Sequence, residues 1–345
     1  MMKENKMGYY FIVMASVIIV LAGIKSASEI LVPFLLALFI AIVLSPMYEV
    51  LKRKKIPDFL ALIIVILGFV FFLGLIASLI GTSVQDFSSN INLYTAKLNA
   101  YYLSLASYSK SFGFDLPLDE ISNMMNSKQI MLFASSIIKG MGSMFTNSFV
   151  ILLTVIFMLL ESQSFSKKID FADGDKDMII HINSILDKIK EYMMLKALIS
   201  LFTGFIVWIA LLIIGTDYAF LWAVLAFLLN FIPNIGSIIA AVPAVLITLV
   251  QLGSVSALIV TAIYTAINVI IGSIIEPKIM GKGLGLSTLV VFLSLLFWGW
   301  LLGMVGMLLS IPLTIMAKII LSENEDSRWM SVLLGSGENL ENKVK

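Results

Sequence analysis

The chain has 345 residues, of which 60% are hydrophobic and 13% are charged, and its mean hydropathy is +1.03. Soluble domains carry about 25% charged residues, so this composition excludes a soluble protein and indicates a membrane protein. The formal charge of +1, the absence of cysteine and the single histidine exclude a basic nucleic-acid-binding surface, thiol chemistry and multi-histidine metal sites.

The N-terminal region consists of uncharged segments separated by short charged stretches. Residues 9–24, 30–48 and 59–81 contain no charged side chain and approach or reach the length of a membrane span. No clear small-residue cleavage site follows the first segment, so it is interpreted as a retained span rather than as a signal peptide. Residues 1–81 are thus predicted to be N-terminal transmembrane helices.

Residues 82–139 are predicted to form an extracytoplasmic helical segment with a heptad pattern. Apolar residues recur alternately every three and four positions, at Val84, Phe87, Ile91, Tyr94, Leu98, Tyr101, Leu105 and Tyr108. This spacing places them on one face of a helix. The face packs either on the protein's own membrane domain or against a second subunit, and the pattern leaves both interpretations open.

Residues 140–160 are predicted to be a further transmembrane helix, and residues 161–196 a cytoplasmic amphipathic segment. In the latter, apolar residues follow helical spacing at Ile182, Ile185, Ile189 and Tyr192, as in a helix that lies at the lipid headgroups. Residues 197–321 are predicted to be a transport core with broken helices, and residues 322–345 a cytoplasmic tail.

Two long uncharged runs dominate the predicted core. The first holds 58 residues between Asp217 and Glu276, too few for three crossings with loops but more than one crossing needs. We predict a re-entrant hairpin with arms at residues 219–232 and 237–250, then one crossing at residues 254–275. The second run, residues 283–317, forms either two tight crossings or a second hairpin that turns near residues 299–306. Full threading through ten spans is the alternative.

A cluster of helix-breaking residues, NFIPNIGS, lies near the middle of the first run. Pro233 lacks a backbone N–H, and Gly236 admits backbone conformations that are closed to other residues. At membrane depth, such a break is tolerated only against protein or a water-filled cavity. Freed carbonyls and the amides of Asn230 and Asn234 then suit a small polar solute or a weakly held ion. The alternative is a simple hairpin turn that the asparagines cap.

A second motif, EPKIMGKGLGLST, begins at Glu276 and Pro277 where a span ends. Its glycines Gly281, Gly283 and Gly285 precede a helix that starts near Ser287 and Thr288. Glycine-rich backbone before a helix N-terminus suits an anion. The alternative is a flexible linker in which Glu276 pairs with Lys278. Upstream, Asn268 belongs either to the same solute site or to a helix–helix hydrogen bond.

Charge asymmetry predicts the orientation of the chain. When the N-terminus is placed in the cytoplasm and sides alternate, 18 of the 23 lysines and arginines fall on the cytoplasmic side. Cytoplasmic loops carry such an excess, so both termini are expected in the cytoplasm. The resulting fold class is an all-α polytopic membrane protein with about six to eight transmembrane helices, re-entrant hairpins and an amphipathic extracytoplasmic segment.

The two motifs resemble those of the autoinducer-2 exporter family, also described as PerM-like permeases. The resemblance extends through the chain, including LVPFLLALFIAIVLSP near residue 31 and LLTVIFMLLE near residue 152. It implies a multi-pass homo-oligomer of the bacterial inner membrane that moves autoinducer-2, a furanone-type polyol of quorum sensing, with an effect on biofilm formation. The residues it implicates are Asn230, Pro233, Asn234, Gly236, Glu276, Pro277, Gly281, Gly283 and Gly285.

The expected function is secondary transport, in the export direction, of this small polar solute. The expected partners are the solute, the lipid bilayer and further copies of the chain, with no nucleic acid, cofactor, metal ion or enzymatic activity. One alternative is a sodium/proton antiporter that uses Glu276, although carriers of this kind usually keep a carboxylate deep within a span. The other is a passive channel or an oligomeric membrane scaffold.

Overall fold

The computed structural model describes residues 6–111, 148–171, 176–233, 235–280, 286–323 and 327–335. Within these ranges the only β structure is an isolated bridge between Leu286 and Gly335, so the prediction of an all-α protein is confirmed. The helices are α1 (Lys6–Ser26), α2 (Ser28–Arg53), α3 (Asp58–Ser111), α4 (Ser148–Phe171), α5 (Lys176–Ile214), α6 (Ala219–Leu229), α7 (Gly236–Leu252), α8 (Ser254–Ile267), a π-helical segment (Asn268–Ile275), α9 (Glu276–Met280), α10 (Thr288–Leu308), α11 (Ser310–Glu323) and α12 (Arg328–Leu333).

Five of the described helices are long and apolar enough to cross a membrane, at Ser28–Arg53, Asp58–Tyr101, Asp187–Ile214, Ser254–Ile279 and Thr288–Leu308. Five shorter apolar helices accompany them. Large apolar side chains such as Phe71 and Ile213 are more than 70% exposed, a surface that water would penalise and lipid accepts. The protein is therefore a polytopic membrane protein, as its composition predicts.

Two helices run without interruption through predicted segment boundaries. Helix α3 has 54 residues and is about 80 Å long at 1.5 Å per residue, whereas the hydrocarbon core of a bilayer is about 30 Å thick. The boundary predicted at residue 81 lies inside α3, and the boundary at residue 196 lies inside α5. A single rigid helix thus joins the apolar part of α3 to its polar continuation.

The heptad face of α3 packs on the protein's own chain. Phe87 is fully buried and Tyr94 is 5% exposed, and the other described positions of the pattern up to Tyr101 are half-buried. The Phe87 ring meets the rings of Tyr218 and Trp222 edge-on, with centroids 6.1 and 5.9 Å away. These contacts match the intrachain interpretation of the pattern, and homo-oligomerisation stays a prediction.

The chain forms two compact units. The first consists of Met1–Lys55, Phe149–Met194 and Lys282–Lys345. In it α1 and α2 pack with α10, and the Lys25 ammonium lies 4.2 Å from the centre of the Trp300 ring. Such a cation–π contact tethers the end of α1 to α10.

Helix α10 contains a chain reversal at Gly303, where φ is +67° and ψ is −148°. A Cβ at Gly306 would lie 2.0 Å from the Trp298 carbonyl oxygen, although residues eight apart in a straight helix are separated by about 12 Å. The Trp298 indole donates to the Thr314 hydroxyl at 3.0 Å and ties the reversal to α11. The turn falls within the predicted range 299–306, and its re-entrant character stays a prediction.

The second unit consists of Ile56–Ser148 and Leu195–Gly281, and its centre is the hairpin of α6 and α7. Helix α8 follows after Gly253, whose φ is +90°, and packs along α7. On α7 the small residues Ala240 and Ala244 are fully buried, and this spacing lets helices approach closely in a membrane. The observed arms and the start of α8 at Ser254 agree with the predicted positions to within a few residues.

Candidate functional site

The described residues of NFIPNIGS, which exclude Asn234, form a tight turn between α6 and α7. The N–H of Ile232 donates to the Leu229 carbonyl at 2.9 Å, and the N–H of Gly236 donates to the Ile232 carbonyl at 3.3 Å. A Cβ at Gly236 would lie 1.8 Å from the Leu229 oxygen, so only glycine allows this approach. Because backbone groups of the turn form hydrogen bonds with one another, side chains supply the polar groups that contact other helices.

Asn230 connects the turn to α5. Its side-chain Nδ2 donates to the Ser200 hydroxyl at 2.9 Å, and Ser200 is fully buried. The amide nitrogen of Asn230 is therefore engaged outside its own turn, and the alternative in which the asparagines cap the turn stays open. This amide holds the hairpin against α5 through a bond between two neutral groups.

Two polar stripes line the place where α5 meets the span that starts at Ser254, and together we call them the polar seam. The seam consists of Lys196, Ser200 and Thr203 on α5, and of Tyr264, Asn268 and Glu276 on the opposite span. Lys196 contacts Glu276, while Thr203 lines a cavity with Tyr264 and Asn268. The two stripes therefore run antiparallel.

The π-helical segment starts at Asn268 and ends just before Glu276, so it lies between two predicted site residues. Such segments are rare in proteins and are often found at functional sites, because the wider turn displaces side chains from regular helical positions. A Cβ on Gly272, within this segment, would lie 3.1 Å from the Asn268 Oδ1 atom. Glycine at this position leaves room for the Asn268 amide.

A small cavity lies between the hairpin, α5 and the π-helical segment. The space open to the centre of a water molecule is about 10 Å³, which is room for one water molecule. No charged side chain is among the described residues that line it. Its polar lining consists of Thr203, Asn230, Ser237, Tyr264 and Asn268.

An ion pair lies at the end of the polar seam that is farther from the cavity. The Lys196 ammonium donates to a carboxylate oxygen of Glu276, and the two side chains are 4% and 19% exposed. The sequence-based alternative that Glu276 pairs with Lys278 is wrong, because the buried ammonium of α5 takes that place. Each buried charge is neutralised by the other, which is how charged side chains are accommodated within membrane-spanning helices.

A polar cluster fixes the opposite end of the hairpin. The Tyr94 hydroxyl of α3 donates to the Asp217 carboxylate at 3.3 Å, and the Gln251 side chain donates to the same carboxylate at 2.9 Å. The Asp217 N–H donates in turn to the Gln251 oxygen at 2.7 Å. We call these three residues the hairpin latch, since they join α3, the start of α6 and the end of α7.

The structure brings some of the predicted site residues together and does not describe others. Asn230 and Asn268 line one cavity, and Glu276 lies at the end of the same seam. Pro277 belongs to the short helix α9. Asn234, Gly281, Gly283 and Gly285 lie outside the described residues. After them, the Ser287 hydroxyl accepts from the Val290 N–H at 3.2 Å and caps α10, which starts where the motif predicts a helix.

Sequence reasoning missed Lys196, Ser200, Thr203 and Tyr264. Their signal is the spacing, since polar residues at 196, 200 and 203 share one helical face, as do those at 264, 268 and 276. In an apolar segment such a stripe indicates a helix–helix interface or a cavity. Counting charges alone placed Lys196 in a surface segment.

Comparisons with known proteins relate this chain to transport proteins. Residues 14–325 match the family described as "AI-2E family transporter". The chain is 39% identical over 324 residues to "AI-2 transport protein TqsA" of Escherichia coli strain K12, a match that covers 94% of each chain. It is 42% identical over 338 residues to a "Putative transport protein" of Haemophilus influenzae, covering 94% of this chain and 95% of that protein.

Proposed function

Because the chain belongs to the AI-2E family of transporters, we propose that it is a secondary transporter of autoinducer-2. The Escherichia coli relative is named as a transport protein for AI-2, and the family is one of transporters rather than of enzymes. The proposal includes export across the bacterial inner membrane with both termini in the cytoplasm, and through export an effect on biofilm formation.

The observation that supports this solute class is the neutral polar lining of the cavity. Two residues with side-chain amides, Asn230 and Asn268, and three with hydroxyls, Thr203, Ser237 and Tyr264, line one cavity. Such groups form hydrogen bonds with hydroxyl and carbonyl oxygens, which a furanone-type polyol presents. Apolar walls with a few placed polar groups are the usual construction of small-molecule sites.

The cavity has room for about one water molecule, so the solute fits only after a movement that widens it. The hairpin of α6 and α7 is the element that must move, because Asn230 and Ser237 belong to it. Its movement breaks the hydrogen bond between Asn230 and Ser200 and widens the cavity from one side. Re-entrant character of this hairpin is part of the proposal, since arms of 11 and 17 residues are about 17 and 25 Å long.

The test is flux of labelled autoinducer-2 into vesicles that contain the purified protein, with sodium and proton gradients imposed separately. Asn230→Ala should reduce the flux about tenfold, the effect of losing one hydrogen bond of about 1.4 kcal/mol. Asn90→Ala is the matched control, because the Asn90 amide donates to the Asp86 carbonyl one turn earlier on α3 and Asn90 is not among the residues that line the cavity. Unchanged flux in Asn230→Ala would remove this residue from the site.

Ser200→Ala separates two roles of Asn230. It breaks the same hydrogen bond to α5 but keeps the amide on the cavity wall. If Asn230 contacts the solute, Ser200→Ala should retain more flux than Asn230→Ala. Equal losses in the two variants would show that the bond to α5, rather than solute contact, accounts for the effect.

Cation/proton antiport is the second candidate function, and the buried pair of Lys196 and Glu276 favours it. Ionisable side chains inside membrane-spanning helices commonly mark paths for ions and protons. Proton movement that depends on an imposed sodium gradient, and that Glu276→Gln abolishes, would place antiport ahead of autoinducer-2 transport. No proton movement in wild-type vesicles under the same gradient would eliminate this candidate.

A further inference from the structure

The Tyr264 hydroxyl is a buried polar group without a partner in the part of the chain that the structure describes. Tyr264 is 6% exposed, and its hydroxyl forms no hydrogen bond with any residue that the structure describes. Buried hydroxyls are rarely left unpaired, because they give up hydrogen bonds to water on burial. Its side chain is part of the cavity wall, and a molecule that enters once the cavity widens can supply the missing partner.

Two other polar groups of the cavity, those of Thr203 and Asn230, already have partners within the protein. The Thr203 hydroxyl donates to the Ile199 carbonyl at 2.9 Å, and the Asn230 amide donates to Ser200 at 2.9 Å. Tyr264 therefore differs from them, since its donor is available without breaking an existing bond. One donor held in place by a rigid ring is well suited to distinguishing solutes.

We propose that Tyr264 is the specificity-determining residue of this cavity, and that its hydroxyl donates a hydrogen bond to an oxygen of an uncharged, hydroxyl-bearing solute. The inference rests on the proposed function for its site. It goes further by naming the residue that selects the solute and the charge state that the site accepts.

The charge state follows from the walls of the cavity. Its described lining contains no charged side chain, and the ammonium of Lys196 is already compensated by Glu276. A charged solute would lose its hydration without gaining a counter-ion, which is costly in a buried site. An uncharged polyol loses only hydrogen bonds to water, and Tyr264 and Asn268 replace some of these.

The test compares Tyr264→Phe with wild type and with Tyr101→Phe. Tyr101→Phe removes the same atom from a half-buried side chain outside the cavity. Binding is measured as the rise in thermal unfolding temperature with solute concentration, and transport as counterflow in vesicles. Tyr264→Phe should bind autoinducer-2 about tenfold more weakly while unfolding at the wild-type temperature without solute. Tyr101→Phe should bind as the wild type does.

Two further solutes separate this inference from the proposed function. Ribitol is an uncharged polyol, and ribonate is an anion of similar size. One informative result is that the wild type binds ribitol but not autoinducer-2, and that Tyr264→Phe does not bind ribitol. This result would support the inference and reject autoinducer-2 as the solute. The inference would be overturned by any of three results. The wild type could bind ribonate as tightly as ribitol, Tyr264→Phe could bind the uncharged solutes as tightly as the wild type does, or the wild type could bind no uncharged solute.

Discussion

Removing one partner of the buried ion pair should destabilise the protein more than removing both. In Glu276→Gln the ammonium of Lys196 stays in a place where its side chain is 4% exposed. In Lys196→Met the carboxylate of Glu276 remains, and its side chain is 19% exposed. The double variant leaves no charge in the seam and nearly conserves the volume of both side chains.

The exposures set the order of the effects. Breaking a buried pair by removing one partner costs about 3–5 kcal/mol, and Glu276→Gln should fall in this range because Lys196 has almost no access to water. Lys196→Met should cost about 1–3 kcal/mol, nearer the cost of an unsatisfied buried group, since Glu276 retains some solvent contact. In the double variant the two losses should largely cancel, so that the coupling energy approaches the sum of the single losses, about 4–8 kcal/mol.

The measurement is a double-mutant cycle on the free energy of unfolding in mixed detergent micelles, with helix content followed by circular dichroism. Proteolysis of the native protein provides a second readout of the unfolded fraction. Additive losses in the double variant would show that the two side chains do not interact energetically. A smaller loss in Glu276→Gln than in Lys196→Met would refute the argument from exposure.

Two further predictions concern the hairpin. Gly236→Ala should prevent the turn from forming, because its Cβ would lie 1.8 Å from the Leu229 carbonyl oxygen. The measurement is the yield of folded protein in detergent. The control Gly74→Ala should keep the wild-type yield, because Gly74 has open space around it. Tyr94→Phe should cost about 1–2 kcal/mol through the lost bond to Asp217 and should speed amide hydrogen exchange in α6. Exchange at the wild-type rate would show that this bond does not hold the hairpin.

The uncharged runs and the helix breakers account for the parts of the fold that sequence reasoning predicts well. A run of 58 residues without charge must be mostly helix in a bilayer, since its backbone has no other partners there. NFIPNIGS marks the turn between α6 and α7 because proline and glycine cannot continue a helix without cost. The turn in α10 follows from glycines at 299, 303 and 306 by the same physical reasoning.

The contact partners of side chains cannot be predicted from the sequence in the same way. Glu276 has Lys278 two residues away in sequence, yet its partner is Lys196, 80 residues earlier. Charges close in sequence are usually hydrated at a membrane surface, whereas a buried carboxylate takes whichever cation the packing of helices presents. Likewise, the heptad face of α3 has the same pattern for an intrachain and an intersubunit contact, and only the packing of Phe87 distinguishes them.

By itself, the sequence determined that this is an all-helical membrane protein. Lipid leaves few ways to satisfy backbone hydrogen bonds, and long uncharged apolar runs indicate helices directly. The sequence also located both chain reversals and the segment around Asn230. Only the tertiary structure decided that Asn230, Asn268 and Tyr264 share one cavity and that Lys196 neutralises Glu276. Those contacts join helices far apart in the chain, and their formation depends on the shape of packed surfaces, which local patterns do not encode.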